Sequence, residues 1–84
     1  MKNNEVLKKQ IIYRSTHRGT KEMDLLLGSF VKKNINLFDD LDLNDFYNFL
    51  KNEDHVIRNW YFNKSENKLI DDNKVTLLFK KFKL

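Results

Sequence analysis

Residues 13–33 read YRSTHRGTKEMDLLLGSFVKK, and the second half of this stretch predicts the helix around which the fold is built. Five apolar residues recur there at i, i+3, i+4, i+7 and i+8, a spacing that puts all of them on one face of an α-helix. They are Met23, Leu26, Leu27, Phe30 and Val31. Thr20 can cap the first turn, where Glu22 and Asp24 supply negative charge, and two lysines supply positive charge in the last turn. We therefore predict a helix over residues 20–33.

Weaker periodicity predicts one helix before this segment and one after it. Residues 4–14 carry a narrow apolar stripe, which is typical of an amphipathic helix. Its members are Val6, Leu7, Ile11 and Ile12. After a loop over residues 34–41, Asp42 can cap a short helix that ends near Asn52. The predicted buried face of this helix consists of Leu43, Phe46, Phe49 and Leu50.

Two more short helices are expected in the last third of the chain. Glu53 or Asp54 can cap the first of them, which ends at a polar turn predicted for residues 63–70. Its apolar face consists of Val56, Ile57, Trp60 and Tyr61. Asp71 or Asp72 then begins the last helix. The apolar face of that helix consists of Val75, Leu78, Phe79 and Phe82.

The predicted fold is all-α: a compact bundle of about five short helices in one domain over residues 1–84. A chain of 84 residues buries roughly 60–65% of the surface that its unfolded form exposes, which supports one modest core. We expect a radius of gyration of roughly 12 Å. The second and fifth helices, with the Trp60 face of the fourth, are the expected sources of that core. The absence of cysteine fits a reducing compartment.

The charge of the chain allows two kinds of partner. The formal net charge is +4, and 13 of the 16 basic residues are lysine, a bias expected from AT-rich codon usage. Charge is also banded, because residues 1–21 and 57–84 are net positive while residues 22–56 are net negative. A banded surface suits an oriented contact with another protein. The alternative is a small basic module of the nucleic-acid-associated or antitoxin-like kind. Of the two, we expect the protein partner and no nucleic acid.

The sequence carries no recognisable targeting or membrane segment. No apolar run approaches the roughly 20 residues that span a membrane, and the first residues lack the apolar core of a secretory signal. We expect a soluble protein that does not insert into membranes and is monomeric when free. We also expect either a complete bacterial chain or a mature domain.

The residues available for catalysis do not form a recognisable catalytic set. Ser15, Thr16 and His17 are neighbours whose side chains diverge, so we expect them to end the first helix and bond its last backbone groups. Glu22 and Asp24 diverge by about 200° on a helix, which does not suit an acid/base pair. The two histidines lie far apart and cysteine is absent, so no metal site is expected. We predict that the protein is not an enzyme.

Arg14, Arg18, Gly19 and Glu22 form the strongest candidate for a binding site. Arginine occurs only three times in the chain, and two of the three lie within five residues of each other. A planar, bidentate guanidinium is the property that lysine cannot supply. Gly19 either adopts a positive φ angle between the first two helices or lets another backbone or a ligand approach closely. The alternative is structural: Gly19 makes the turn, and Arg18 pairs with Glu22 at the surface.

These residues lie in a segment that resembles a known family. Residues 13–30, YRSTHRGTKEMDLLLGSF, are similar to the characteristic segment of the succinate dehydrogenase flavinylation factors, which are bacterial and mitochondrial assembly proteins marked by an Arg-Gly-x-x-Glu motif. Here the motif consists of Arg18, Gly19 and Glu22. The resemblance runs over about residues 6–62, and the tail beyond it carries no family signature.

The resemblance implies a five-helix protein that binds the flavoprotein subunit of succinate dehydrogenase, or of a fumarate reductase homologue. It implies that the factor promotes covalent attachment of FAD to a histidine of that subunit without being the catalyst or holding FAD stably. The site of action would be the bacterial cytoplasm, or the mitochondrial matrix for a mature eukaryotic chain. Arg18 and Glu22 would contact groups of the client or near the flavin, and Gly19 would allow the close approach. The predicted client-binding residues are Arg14, His17, Arg18, Gly19, Glu22 and Asp24.

Overall fold

The helix predicted over residues 20–33 is present, and all five residues of its apolar face are buried. The computed structural model describes residues 2–63 and 67–84. Within these ranges the chain forms five α-helices and one short 3-10 turn, with no strand. The elements are α1 (Lys2–Thr16), α2 (Lys21–Asn34), the 3-10 turn Ile35–Leu37, α3 (Asp40–Phe49), α4 (Asp54–Phe62) and α5 (Lys74–Lys81). The all-α, five-helix prediction is confirmed, and the Cα radius of gyration is 11.9 Å.

Helix α2 begins where the sequence indicates, whereas α1 is longer than predicted. Thr20 is the N-cap of α2, and its Oγ1 accepts a hydrogen bond from the Met23 N–H at 3.3 Å. Helix α1 extends beyond residues 4–14 at both ends. At its C-terminal end the Thr16 hydroxyl donates to the Ile12 carbonyl at 2.9 Å. This bond and a second contact with the Tyr13 carbonyl at 3.3 Å hold the Thr16 side chain against the last turn of α1.

The predicted caps of α3 and α5 are wrong by a few residues. Asp39, not Asp42, is the N-cap of α3: its Oδ1 accepts from the Asp42 N–H at 2.8 Å, and Asp42 Oδ2 accepts from the Asp39 N–H at 3.2 Å. Asn73, not one of the two preceding aspartates, caps α5 through the same reciprocal pair of bonds with Thr76. Each helix therefore begins at the residue that can form both bonds of a capping box.

The connection from α4 to α5 is only partly described. The polar turn predicted over residues 63–70 includes residues 64–66, which lie outside the described residues. In the described part the Ile70 N–H donates to the Asn67 carbonyl at 3.1 Å. Ile70 itself is buried against the core. The loop predicted over residues 34–41 contains the 3-10 turn, which was not expected.

Aromatic rings fill the core between α2, α3, α4 and α5. Phe30 meets Phe79 edge to face with centroids 5.0 Å apart, and Phe79 stacks on Trp60 at 6.2 Å. Phe49 lies 5.5 Å from Trp60 and 5.6 Å from Phe79. Trp60 is 2% exposed, which confirms its predicted burial. Large aromatic side chains bury much apolar surface, so this cluster lets a short chain fold without a disulfide.

Two of the predicted apolar faces are only partly correct. On α1, Val6 and Ile12 are exposed, whereas Ile11 is fully buried. On α5, Leu78 is exposed and Thr76 is buried in its place. Helix α1 packs mainly on α2 and α3, and α5 mainly on α3, so neighbouring helices cover only one side of each. On both helices the buried face is therefore narrower than the stripe of apolar residues in the sequence.

Gly28 marks the closest approach of α1 to α2. A Cβ atom at this position would lie 3.1 Å from Thr16 Cγ2, which is tighter than an ordinary van der Waals contact. The absence of a side chain on α2 thus lets the last turn of α1 pack against it. The same packing fixes the direction in which the chain leaves α1 and enters the turn that follows.

Candidate functional site

The turn between α1 and α2, residues 17–20, contains Arg18 and Gly19 of the Arg-Gly-x-x-Glu motif, and Glu22 follows in the first turn of α2. Gly19 has a φ angle of +113°, which side chains other than glycine rarely tolerate. A Cβ atom there would meet nothing within 4 Å, so within the described chain no close neighbour requires the glycine. The backbone N–H of Arg18 donates to Asp24 Oδ1 at 2.5 Å, which ties the turn to the first turns of α2. Asp24 is thereby partly buried and engaged within the chain.

The Arg18 side chain points inward and is only 10% exposed. Its Nε lies 2.7 Å from Asp54 Oδ1, while Nη1 donates to the Leu50 carbonyl at 2.8 Å and Nη2 to the Asn52 carbonyl at 2.7 Å. These acceptors lie just after α3 and at the first residue of α4. The C-terminal end of α3 carries partial negative charge, which favours the Arg18 cation beside it. The N-terminal end of α4 carries partial positive charge, which favours the Asp54 carboxylate there. The guanidinium therefore clamps the turn to the α3–α4 connection, using the planar donor set that lysine lacks.

Glu22, the last residue of the motif, points away from this clamp. Its carboxylate pairs with Arg58 of α4, with Oε1 and Nη2 3.0 Å apart, and both side chains are about half exposed. The surface pair between Arg18 and Glu22, which was the structural alternative to a binding role, is therefore not formed. Each has instead found a partner on α4, because α4 packs beside the start of α2. Glu22 is the exposed ionisable side chain of the motif.

Asp54 and Arg58 were not among the predicted site residues. Arg58 could have been found, because it is the third arginine of a chain in which lysine is far more common. Asp54 carried no such signal, since the sequence contains many aspartates and this one was interpreted as a possible helix cap. Only its contact with Arg18 distinguishes it from the others.

The residues that end α1 are arranged as a terminus, not as a catalytic pair. His17 Nδ1 lies 2.9 Å from the Tyr13 carbonyl and 3.0 Å from Thr16 Oγ1, so these neighbours do meet, contrary to the expectation that they diverge. A carbonyl only accepts, so Nδ1 carries the proton and cannot act as the base for Thr16. Ser15 is fully buried, and its Oγ makes no hydrogen bond with any described residue. The imidazole also stacks on the Tyr13 ring at 4.0 Å.

An open groove of about 1020 Å³ runs beside the turn, between α1 and the α3–α4 connection. Arg14 lies in this groove, with its Cζ 5.4 Å from the centroid of the Tyr47 ring. The α1 side is formed by Val6, Lys9, Gln10, Tyr13, Arg14 and His17. The other side is formed by Arg18 and residues 51–55. Of the six predicted binding residues, three line the groove, while Gly19 lies in the turn and Glu22 and Asp24 lie in the first turn of α2, outside the groove lining.

Neither a metal cluster nor a membrane-spanning helix is found in the described residues. In residues 2–63 and 67–84, no group of three or more histidine, aspartate or glutamate side chains could hold a metal ion. No helix in the same ranges is long and apolar enough to cross a membrane. What the site does provide is a rigid turn, a half-exposed ion pair and a groove with charged and aromatic walls. These features define a small helical protein with an open groove on its surface.

Comparison with known proteins gives the family. The family model described as flavinator of succinate dehydrogenase matches residues 9–83, and the chain belongs to this family. The match continues past residue 62, where the resemblance in the sequence was expected to end. Helix α5 and the segment before it therefore belong to the family fold as well.

Curated relatives of the chain come from bacteria and from eukaryotes. It is 41% identical over 69 residues to the mitochondrial succinate dehydrogenase assembly factor 2 of Dictyostelium discoideum, covering 76% of this chain and 49% of the relative. It is 33% identical over 57 residues to the FAD assembly factor SdhE of Acetobacter pasteurianus, covering 68% and 52%. The chain thus spans about half the length of these two relatives. No solved structure matches the chain significantly.

Proposed function

We propose that this protein binds the flavoprotein subunit of a succinate dehydrogenase, or of a fumarate reductase homologue, and promotes covalent attachment of FAD to it. The observation that carries the proposal is the Arg-Gly-x-x-Glu turn, held in one shape by the Arg18 clamp, in a chain of the flavinator family. The names of its bacterial and mitochondrial relatives support the same role.

The turn would act as a preformed contact surface. Gly19 presents backbone without a side chain, and Glu22 and Arg58 present an ion pair that client groups can reach. Because the clamp already orders the turn, little conformational entropy is lost on binding. The part of Arg18 in this proposal differs from the role expected from the motif: its guanidinium supports the surface from inside, and its neighbours make the contact.

The factor would contribute positioning and not catalysis. Holding a mobile part of the client so that its histidine and the flavin stay in reactive geometry can contribute several kcal/mol toward the reaction. The proposal assigns no nucleophile, base or stably bound FAD to this chain, and positioning of the client's own groups is its whole contribution. We further propose action as a monomer in the bacterial cytoplasm, or in the mitochondrial matrix for a eukaryotic chain.

The test is covalent flavin on the client. The flavoprotein subunit is produced with and without this chain, separated on a denaturing gel and scored by flavin fluorescence. We expect the wild type to raise the covalent signal, Gly19→Arg to abolish the effect, and Glu22→Ala and Arg18→Ala to reduce it. Lys33→Ala, at an exposed position near the end of α2, is the matched control and should behave as wild type.

Thermal melting of each variant separates loss of contact from loss of fold. A folded Gly19→Arg protein that gives no covalent flavin supports a binding surface. Normal covalent flavin with all three motif variants would overturn the site. A wild-type chain that leaves covalent flavin unchanged would overturn the function.

A further inference from the structure

Helix α1 has an exposed face that no other described element covers. The residues of this face follow i, i+3, i+4, i+7, i+8 and i+11, so they form one continuous stripe. They are Val6, Lys9, Gln10, Tyr13, Arg14 and His17, and all line the groove. Tyr13 is 62% exposed and Val6 is 54% exposed, so the stripe presents apolar side chains beside the cations Lys9 and Arg14. Exposed apolar groups rimmed by polar ones are typical of protein interaction sites.

Two cations from opposite sides of the groove converge on one aromatic ring. Arg14 Cζ of α1 and Lys51 Nζ of the α3–α4 connection each lie 5.4 Å from the centroid of the Tyr47 ring. The two positive charges are therefore no farther apart than twice that distance. No carboxylate of residues 2–63 or 67–84 forms an ion pair with Arg14, Lys51 or Lys9. Each cation lies over the Tyr47 ring, and an anion bound nearby in the groove would reduce the repulsion between the two charges.

The groove lining has more cations than carboxylates. Its carboxylates are Glu53 and Asp54, and Asp54 accepts from Arg18 at 2.7 Å. Since the lining also contains Lys9, Arg14 and Lys51, its net charge is positive. An anionic ligand with an apolar part would complement both the cations and the exposed Val6 and Tyr13 side chains.

We propose that the groove binds an acidic, extended segment of the client protein that carries one aliphatic or aromatic side chain. The identity of the client rests on the proposed function, whereas the chemistry of the segment follows from the groove. From Val6 to His17 helix α1 rises about 16 Å, a distance that an extended chain covers in about five residues. The carboxylates of the segment lie near Arg14 and Lys51, and its apolar side chain packs on Tyr13. A nucleic acid fits less well, because a phosphate backbone offers no aliphatic group to pack on the exposed Val6 side chain.

The binding test uses a synthetic probe. The probe is a fluorescein-labelled peptide of about six residues, all glutamate except one central leucine, added to the full chain and followed by fluorescence anisotropy. We expect saturable binding that weakens with added salt and weakens when serine replaces the leucine. A lysine version of the peptide should not bind. Equal binding of the lysine peptide, or tighter binding of a single-stranded oligonucleotide, would overturn the proposal.

A charge-matched pair of variants locates the binding. Arg14→Glu combined with Lys51→Glu changes two exposed groove residues and should weaken peptide binding about tenfold or more. Lys32→Glu combined with Lys33→Glu makes the same change in net charge at exposed positions near the end of α2, outside the groove, and should leave binding within about twofold of wild type. Equal weakening by both pairs would overturn the proposal, because it would mean that only net charge attracts the peptide. Circular dichroism and melting check that both double variants fold.

The flavin assay on the same variants separates this inference from the proposed function. Loss of covalent flavin with the groove pair, and not with the α2 pair, supports both. Full covalent flavin with the groove pair would overturn the groove as the client's docking site and leave the proposed function standing. If the wild type fails to raise covalent flavin while the groove still binds the acidic peptide, the proposed function falls and the ligand class of the groove is supported.

Discussion

Arg18 Nε lies 2.7 Å from Asp54 Oδ1, and this contact joins the α1–α2 turn to the first residue of α4 across 36 positions of sequence. The motif arginine is therefore part of the scaffold of the site. Its guanidinium also holds two backbone carbonyls at the end of α3. The exposed elements of the motif are the Gly19 backbone and the Glu22 carboxylate, which are presented on a surface that Arg18 makes rigid.

The clamp is expected to contribute strongly to stability. Arg18→Ala leaves the Asp54 carboxylate and two carbonyls without their donor, so we expect the free energy of unfolding to fall by about 2–4 kcal/mol. Arg58→Ala removes a half-exposed pair with Glu22 and should cost about 0–1 kcal/mol. Urea unfolding measures both values, provided that the slope of the unfolding free energy against urea concentration is the same for wild type and variant. Similar losses for the two variants would contradict the inward role of Arg18.

Two substitutions of Gly19 separate the effect of backbone conformation from the effect of side-chain size. With φ at +113° and no atom within 4 Å of a Cβ position, Gly19→Ala and Gly19→Arg should each cost about 1–2 kcal/mol. The two variants should therefore melt at nearly the same temperature. Only the arginine variant projects a long side chain onto the proposed surface, so it alone should abolish covalent flavin on the client. Equal loss of covalent flavin with alanine would mean that the turn conformation, and not access to it, is what function requires.

The contact between Gly28 and Thr16 should show strong coupling. Gly28→Ala adds a Cβ atom 3.1 Å from Thr16 Cγ2, and Thr16 cannot rotate away without losing its bond to the Ile12 carbonyl. We expect a loss of about 1–2 kcal/mol despite the better helix propensity of alanine. With Thr16→Ser the methyl group is gone and the hydroxyl stays, so Gly28→Ala should then stabilise by up to about 1 kcal/mol. Additive effects in this double-mutant cycle, measured by urea unfolding, would contradict the close packing.

The raised pKa of Tyr61 predicts that the protein loses stability at alkaline pH. Its hydroxyl donates to the Phe82 carbonyl, and burial raises the pKa of Tyr61 above 10.0. The folded state holds this proton more tightly than the unfolded state does. The protonated hydroxyl therefore contributes its full stability below about pH 10. That contribution is lost as the pH rises through the pKa of Tyr61 in the folded state.

Tyr61→Phe removes the hydrogen bond and should cost about 1 kcal/mol near neutral pH. The difference between wild type and variant should shrink from about pH 8 to about pH 11, since only the wild type loses this proton on unfolding. Urea midpoints at the two pH values give the comparison. The other tyrosines and the lysines are the same in both proteins, so their contributions to the difference cancel. A difference that stays constant or grows would contradict the raised pKa.

The helices and the core were largely predictable from the sequence, because both depend on local spacing. Trp60 follows Val56 and Ile57 at helical intervals, and it is buried as that spacing predicts. The caps of α3 and α5 were not predictable in the same way. Asp39, Asp42 and Asn73 lie among other aspartates and asparagines that can also cap a helix, and the reciprocal bonds of the folded helix select one of them.

The sequence by itself determined the helical period of α2, its Thr20 cap and the motif that identifies the family, because each is written in residues a few positions apart. The tertiary structure decided which way the motif side chains point. Arg18 and Glu22 lie on consecutive turns of the chain, yet one is buried against Asp54 and the other pairs with Arg58 at the surface. Their partners come from α4, and no local spacing encodes them. Only the packing of α1, α2 and α4 brings these charges within bonding distance and closes the groove beside them.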